Sequence, residues 1–199
     1  VDQLCPKRAQ GLSPGDYIRL AAVNRACAPV SKQAMWDWVS QTALPRVWPE
    51  ASAAQLTSQH FWDHMDRIDG PTAQAIWQHL LDGVLQREQI PLSQVCYDGT
   101  NFYTFIATFN LRCQVAKRGK NKQGRSNLRQ VSYALFCTTD GHLPLFYDVY
   151  EGNRNDAKEF PQVLERFQRW LKERAGSTWA TTKPTLIFDK GNNSAENLA

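Results

Sequence analysis

The chain has 199 residues, 42% of them hydrophobic and 11% aromatic, with a formal net charge of +4, enough for a packed core in one large domain or two small ones. No run approaches the roughly 20 apolar residues that cross a bilayer, and the first residues lack the basic-then-apolar layout of a secretion signal, so a soluble cytoplasmic protein is expected. The five cysteines (Cys5, Cys27, Cys96, Cys113, Cys137) include no C-x-x-C pair, which argues against a zinc ribbon or redox motif and for reduced thiols.

Residues 1–90 read as helices. Ser13-Pro14-Gly15-Asp16 has the form of a helix start: a capping serine, a first-turn proline and an acid closing a capping box. Tyr17, Leu20, Ala21 and Val23 follow at helical spacing, and Pro29 ends the segment. Ser31 opens a second helix with Met35, Trp38 and Val39 on one face. Residues 44–49 carry two prolines and read as a connector. Thr57 caps a third helix through Phe61, Trp62, Met65 and Ile68, Gly70-Pro71 breaks the chain, and a fourth helix runs to about Arg87 with Ile76, Leu80, Leu81 and Val84 inward.

The pattern changes at Pro91. Val95-Cys96-Tyr97 reads as a short strand ending at Asp98-Gly99. Residues 103–115 read either as more strand or as a helical turn. A basic, glycine-containing loop follows, with Lys117, Arg118, Lys120, Lys122, Arg125 and Arg129 and no acid among them; charge alone makes it the candidate nucleic-acid contact. Residues 131–137 are rich in strand formers, Thr139-Asp140-Gly141 is a turn, and residues 143–150 complete a hairpin. Phe160, Val163, Leu164, Phe167, Trp170 and Leu171 give a strong helical stripe in which Pro161 is tolerable only in the first turn. Residues 185–188 form a short strand ending at Asp189, and Ser194 opens a further helix.

Strand, antiparallel pair, helix, strand, helix is the opening of an α/β, RNase H-like mixed sheet, incomplete and preceded by the all-helical region. The expected domains are 1–90, for DNA binding or dimerisation, and 91–199, the first half of a catalytic domain. The crossover helix returns the chain parallel to the first strand, which brings Asp98 and Asp189 to one edge of the sheet. Two carboxylates held together repel, and a divalent cation removes that cost; magnesium favours such oxygen ligands, with waters and phosphates completing its shell. Either aspartate alone is equally what a turn residue looks like.

Tyr97-Asp98-Gly99-Thr100-Asn101, Arg118-Gly119-Lys120 through Arg125-Ser126-Asn127-Leu128, Glu151-Gly152-Asn153 with Asp156, and Phe188-Asp189-Lys190-Gly191 with Ser194 and Asn197 resemble, in order and spacing, a DDE transposase of the insertion-sequence-four superfamily, sixteen-thirty-four-like branch. Asn24-Arg25, Pro29, Ser31-Lys32 and Trp38 resemble its N-terminal part. The resemblance implies a bacterial, nucleoid-associated DNA transposase that cuts insertion-sequence ends and transfers strands with Mg2+ or Mn2+. Asp98 and Asp189 would be catalytic metal ligands, the basic loop a DNA contact, double-stranded DNA the partner, and a homodimer the working form. The family's third carboxylate, a glutamate on a later helix, is missing; Glu196 falls in the wrong element. A truncated fragment, inactive alone, is therefore expected. The other reading is a non-catalytic DNA-binding or dimerisation remnant.

His60 and His64 have metal-ligand spacing but no further ligand nearby, and read as a solvated helix face. The tryptophans at 36, 38, 48, 62 and 77 have rings that can stack on bases, but most read more simply as core residues of a helical bundle. The segment after Ser31 has the outline of a second helix-turn-helix helix but few bases.

Overall fold

The computed structural model describes residues 1–8, 11–120, 124–173 and 184–189. The chain divides into two compact units, Val1–Arg87 and Glu88–Ala199.

The first unit is helical. Helix α1 (Pro14–Cys27) begins with a full capping box: Ser13 Oγ accepts the Asp16 N–H at 3.0 Å, and the Asp16 carboxylate accepts the Ser13 N–H at 3.0 Å. The Trp48 indole N–H also donates to Asp16, at 2.9 Å. Burial pushes that carboxyl's pKa up, but hydrogen bonds from Ser13 and Trp48 outweigh it and hold the group below the ordinary aspartate value. A 3-10 turn (Lys32–Ala34) capped by Ser31 leads into α2 (Met35–Ser40), and Thr57 caps α4 (Ser58–Met65). Tyr17, Leu20, Met35, Val39, Leu56 and Phe61 form the core, with Trp36, Trp38 and Trp48 packed against it.

Three local readings change. Residues 44–49 are not all connector: Leu44–Val47 forms a short helix, α3, with its proline in the first turn, where no amide bond is lost. Gly70-Pro71 starts α5 (Gly70–Glu88) for the same reason. Leu80, expected inward, is 58% exposed, while Leu81 and Leu85 are buried.

The second unit is a mixed α/β layer: β1 (Gln94–Thr104), β2 (Lys117–Arg118), β3 (Arg129–Thr138), β4 (Pro144–Glu151), α6 (Asp156–Glu173) and β5 (Thr185–Phe188). Strand β3 pairs antiparallel with β1 on one side and with β4 on the other; β2 continues the β4 side, and the Gly152 N–H bonds the Val115 carbonyl at 3.1 Å. Strand β5 pairs parallel with β1. The resulting order is that of the opening of an RNase H-like sheet.

Strand β1 is longer than the sequence suggests. It does not end at Asp98-Gly99; both residues pair in mid-strand, with Leu135 and Ala134. Helix α6 opens at Asp156, where Asn155 Oδ1 accepts the amides of Ala157 and Lys158 at 3.0 and 3.3 Å. Pro161 therefore lies past the first turn, contrary to expectation, and the buried stripe of Phe160, Val163, Phe167 and Trp170 carries the helix through the lost amide bond. The helix expected at Ser194 lies outside the described residues. Among the described residues, no helix is long and apolar enough to cross a membrane.

Candidate functional site

The sheet has two chemically different faces. Alternation along β1 buries Val95, Tyr97 and Gly99 and turns Cys96, Asp98 and Thr100 to the other side. The buried side faces α6. Tyr97 lies against Phe160 with ring centroids 4.9 Å apart, and Phe188 of β5 lies 5.0 Å from the same ring. One phenylalanine of α6 thus touches both strands.

The β1–β5 register runs Val95↔Leu186, Cys96↔Ile187, Tyr97↔Phe188. Asp98 and Asp189 are the next residue on each strand. Residues in register on parallel strands share a face, so Asp98, next after the buried Tyr97, and Asp189, next after the half-buried Phe188, both fall on the face away from α6. Both are exposed. Neither has a hydrogen-bond or ion-pair partner among the described residues. Two hard oxygen donors so arranged suit a hard divalent cation, whose remaining positions go to water or phosphate. No group of three or more metal-ligating side chains occurs among the described residues.

The acids around the α6 face of the sheet are engaged. Asp148 lies on the α6 face, opposite in register to Ala134, and forms an ion pair with Arg166. Glu159, only 4% exposed, sits between Arg154 and Arg166 at 3.1 Å from each. Glu151 pairs with Arg154 at 3.2 Å. Asp156 accepts the Tyr150 hydroxyl at 2.9 Å, close to Gly99. Burial, then Asp156, push the Tyr97 hydroxyl up to about 12. Periodicity and charge counting gave no sign of this network; only the arginines at 154 and 166, close in chain to Glu151 and Glu159, hinted at it.

The basic loop is not uniform. Lys120 is exposed. Lys117 lies 3.9 Å from Glu151, Arg118 donates to Thr108 at 3.0 Å, and Arg125 covers the Tyr103 ring at 4.7 Å. Lys122 is outside the described residues. Arg129 differs from the reading of the loop as a row of phosphate contacts: it is 8% exposed, and its guanidinium donates to the carbonyls of Ala107, Asn110, Cys113 and Ala116. Gly119 and Gly152 meet at the same corner. A Cβ on Gly152 would lie 2.0 Å from the Gln130 carbonyl oxygen, and one on Gly119 2.6 Å from the Gly152 oxygen. The glycines of two separate motifs are there because backbones cross.

In the helical unit His60 and His64 have local partners. His60 Nδ1 meets the Thr57 hydroxyl at 3.1 Å, and His64 Nδ1 meets the His60 carbonyl at 2.7 Å with its ring against Tyr17.

A comparison with curated proteins gave no match. Among solved structures, the Mos1 transposase paired-end complex with left transposon end is similar at a TM-score of 0.31 and 10% identity, over 96% of this chain and 58% of that one, a likeness too loose to assign chemistry. The family described as transposase DDE domain matches residues 91–198, more than half of the sequence and all of the sheet, and the chain belongs to that family.

Proposed function

We propose that this is the catalytic-domain portion of an insertion-sequence transposase, of the insertion-sequence-four superfamily and its sixteen-thirty-four-like branch, acting in metal-dependent DNA cleavage and strand transfer at element ends. The observation that carries the reading is the β1–β5 register, in which Asp98 and Asp189 directly follow the paired Tyr97 and Phe188. Asp98 and Asp189 would hold Mg2+ or Mn2+, which when bound supplies Lewis-acid chemistry for phosphodiester cleavage. The side chains around them have simpler duties. Phe160 keeps β1 and β5 in contact, and the Asp148–Arg166–Glu159–Arg154 network anchors α6 beneath them. Lys117, Arg118, Lys120, Lys122 and Arg125 would hold DNA phosphates; Arg129 is not in that set, since its donors are spent on carbonyls. A third carboxylate is not supplied by Asp148 or Glu151, which are paired with arginines, and Glu196 is outside the described residues. The same domain would bind duplex DNA as a homodimer.

The test is Mn2+ titration of the purified chain followed by electron paramagnetic resonance, alongside DNA binding. Asp98→Asn and Asp189→Asn should each weaken Mn2+ binding about tenfold, consistent with loss of one of few protein ligands, and leave DNA affinity unchanged or slightly higher. Mn2+ binding unchanged in both variants would refute the site. DNA binding without any Mn2+ site would favour the non-catalytic reading.

A further inference from the structure

Residues 105–116, between β1 and β2, are built inside out. A loop with three large apolar side chains ordinarily buries them and leaves its polar groups in water. Here the centre is a charge: the Arg129 guanidinium, bonded to four loop carbonyls. The apolar side chains form the rim. Phe105 is 78% exposed, Phe109 87% and Leu111 80%. The backbone is nonetheless defined. The Asn110 N–H bonds the Ala107 carbonyl at 3.0 Å, the Arg112 N–H bonds Asn110 Oδ1 at 3.0 Å, and Gln114 Nε2 bonds the Leu111 carbonyl at 2.6 Å. So the phenylalanines are held outward by a satisfied scaffold.

Charge indicates what they meet. Between Asp98 and Asp140 the sequence has seven Lys/Arg and no Asp or Glu. The aromatics and cations interleave: Phe105 packs edge-on to Tyr103 at 5.8 Å, and Arg125 lies over the other part of that pair. A pocket of about 230 Å3 opens between the loop and β2, with Thr108, Asn110, Gln114, Lys117 and Arg118 among the residues that line it. That is smaller than the ~300–1,000 Å3 of a drug-sized site and suits one flat ring. Exposed aromatic faces beside backbone-holding cations are what stacking on unpaired bases requires.

We propose that residues 105–116 form a base-contacting wedge, in which Phe105 and Phe109 stack on unpaired or unstacked DNA bases while Lys117, Arg118 and Lys120 hold the adjoining phosphates. The proposal rests on the DNA-binding reading above and adds to it a preference for distorted DNA. Six residue steps of extended β1 carry the chain from Asp98 to Thr104, about 20 Å, so the wedge acts on DNA flanking the aspartates and not on the bond they would act on.

The probes are a fluorescein-labelled duplex and the same duplex carrying a short mismatched bubble, titrated with the whole chain at several salt concentrations. The chain should prefer the bubble about tenfold, the scale of one or two stacked bases. Phe105→Ala with Phe109→Ala should erase that preference and keep duplex affinity and its salt slope; Phe109→Trp should keep the preference. Lys117→Ala with Arg118→Ala should weaken both probes alike and flatten the slope. Equal binding of both probes by the unaltered chain, or a preference that survives the double alanine variant, overturns the wedge and leaves DNA binding standing. Binding of neither probe overturns both. Because these phenylalanines are exposed, the variants should unfold at the parent's urea midpoint, which separates loss of contact from loss of fold.

Discussion

Replacing Arg129 should loosen the second unit far more than loss of a surface charge would. Its guanidinium donates to four carbonyls spread over residues 107–116, two of the bonds being 3.1 Å to Ala107 and 2.9 Å to Asn110. A hydrogen bond from a charged group contributes about 1.5 kcal/mol or more net when buried, and the three that are only part-buried regain much of that from water. The sum for Arg129→Ala is about 3 kcal/mol. With a urea slope of about 2 kcal/mol/M, the midpoint should fall by about 1.5 M. Arg129→Lys should recover little, because an ammonium is a point donor and cannot span a fork of four acceptors. The measurement is hydrogen exchange at the β3 amides under rising urea, with tryptic cleavage after Arg112 as a local probe. If Arg129→Lys unfolds at the parent's urea concentration and Arg112 stays protected, the guanidinium does not organise the loop, and a phosphate contact becomes the better account of it.

Gly152→Ala should cost about 3 kcal/mol or abolish folding of the second unit, since the new methyl would meet backbone at 2.0 Å, while Gly124→Ala, with open space but φ of +70°, should cost only about 1 kcal/mol; thermal melts compare them. Asp16→Ala should destabilise the helical unit by about 1–2 kcal/mol at neutral pH through loss of the cap. Because the folded pKa of Asp16 is depressed, that contribution is present above the ordinary aspartate range and lost as pH falls through the folded value, so parent and variant should converge in acid denaturation. Burial raises Tyr17 and Tyr97 to about 12, so the folded chain holds these protons more tightly than the unfolded one. That stability is complete below about pH 10 and lost as pH rises through 12, and Tyr17→Phe and Tyr97→Phe should each flatten the alkaline melting curve.

What could be read from the sequence was local. Ser13 and Asp16 sit three apart and cap one helix; the α6 stripe repeats every three to four residues; the hairpin between β3 and β4 announces itself by Thr139-Asp140-Gly141. The alignment of Asp98 with Asp189 followed from one further rule, the parallel return of a crossover. What could not be read depends on partners distant in the chain. Arg129 belongs to a run of bases, but its acceptors lie 13 to 22 residues earlier. Residues 105–116 have the phenylalanines of a strand or a helix and form neither, because the loop is arranged around that arginine. Gly152 appeared as part of a motif, and the reason for it, the Gln130 carbonyl at its back, appears only when β3 and β4 are paired.

The two faces of the sheet explain why acids of one type divide into two kinds. Toward α6, every acid described near the sheet has a specific partner: Asp148 has Arg166, Glu159 has two arginines, and Asp156 has the Tyr150 hydroxyl. A half-buried carboxylate in a low-dielectric layer must be paired or lose its charge, so these groups are fixed by the packing that surrounds them. Away from α6, Asp98 and Asp189 lie in solvent without such partners among the described residues. They directly follow the paired Tyr97 and Phe188 on adjacent parallel strands. An arginine placed there would occupy the oxygens. In the proposed site that openness would leave their lone pairs for a cation from solution, while the Asp148–Arg166 pair on the opposite face ties α6 to the sheet.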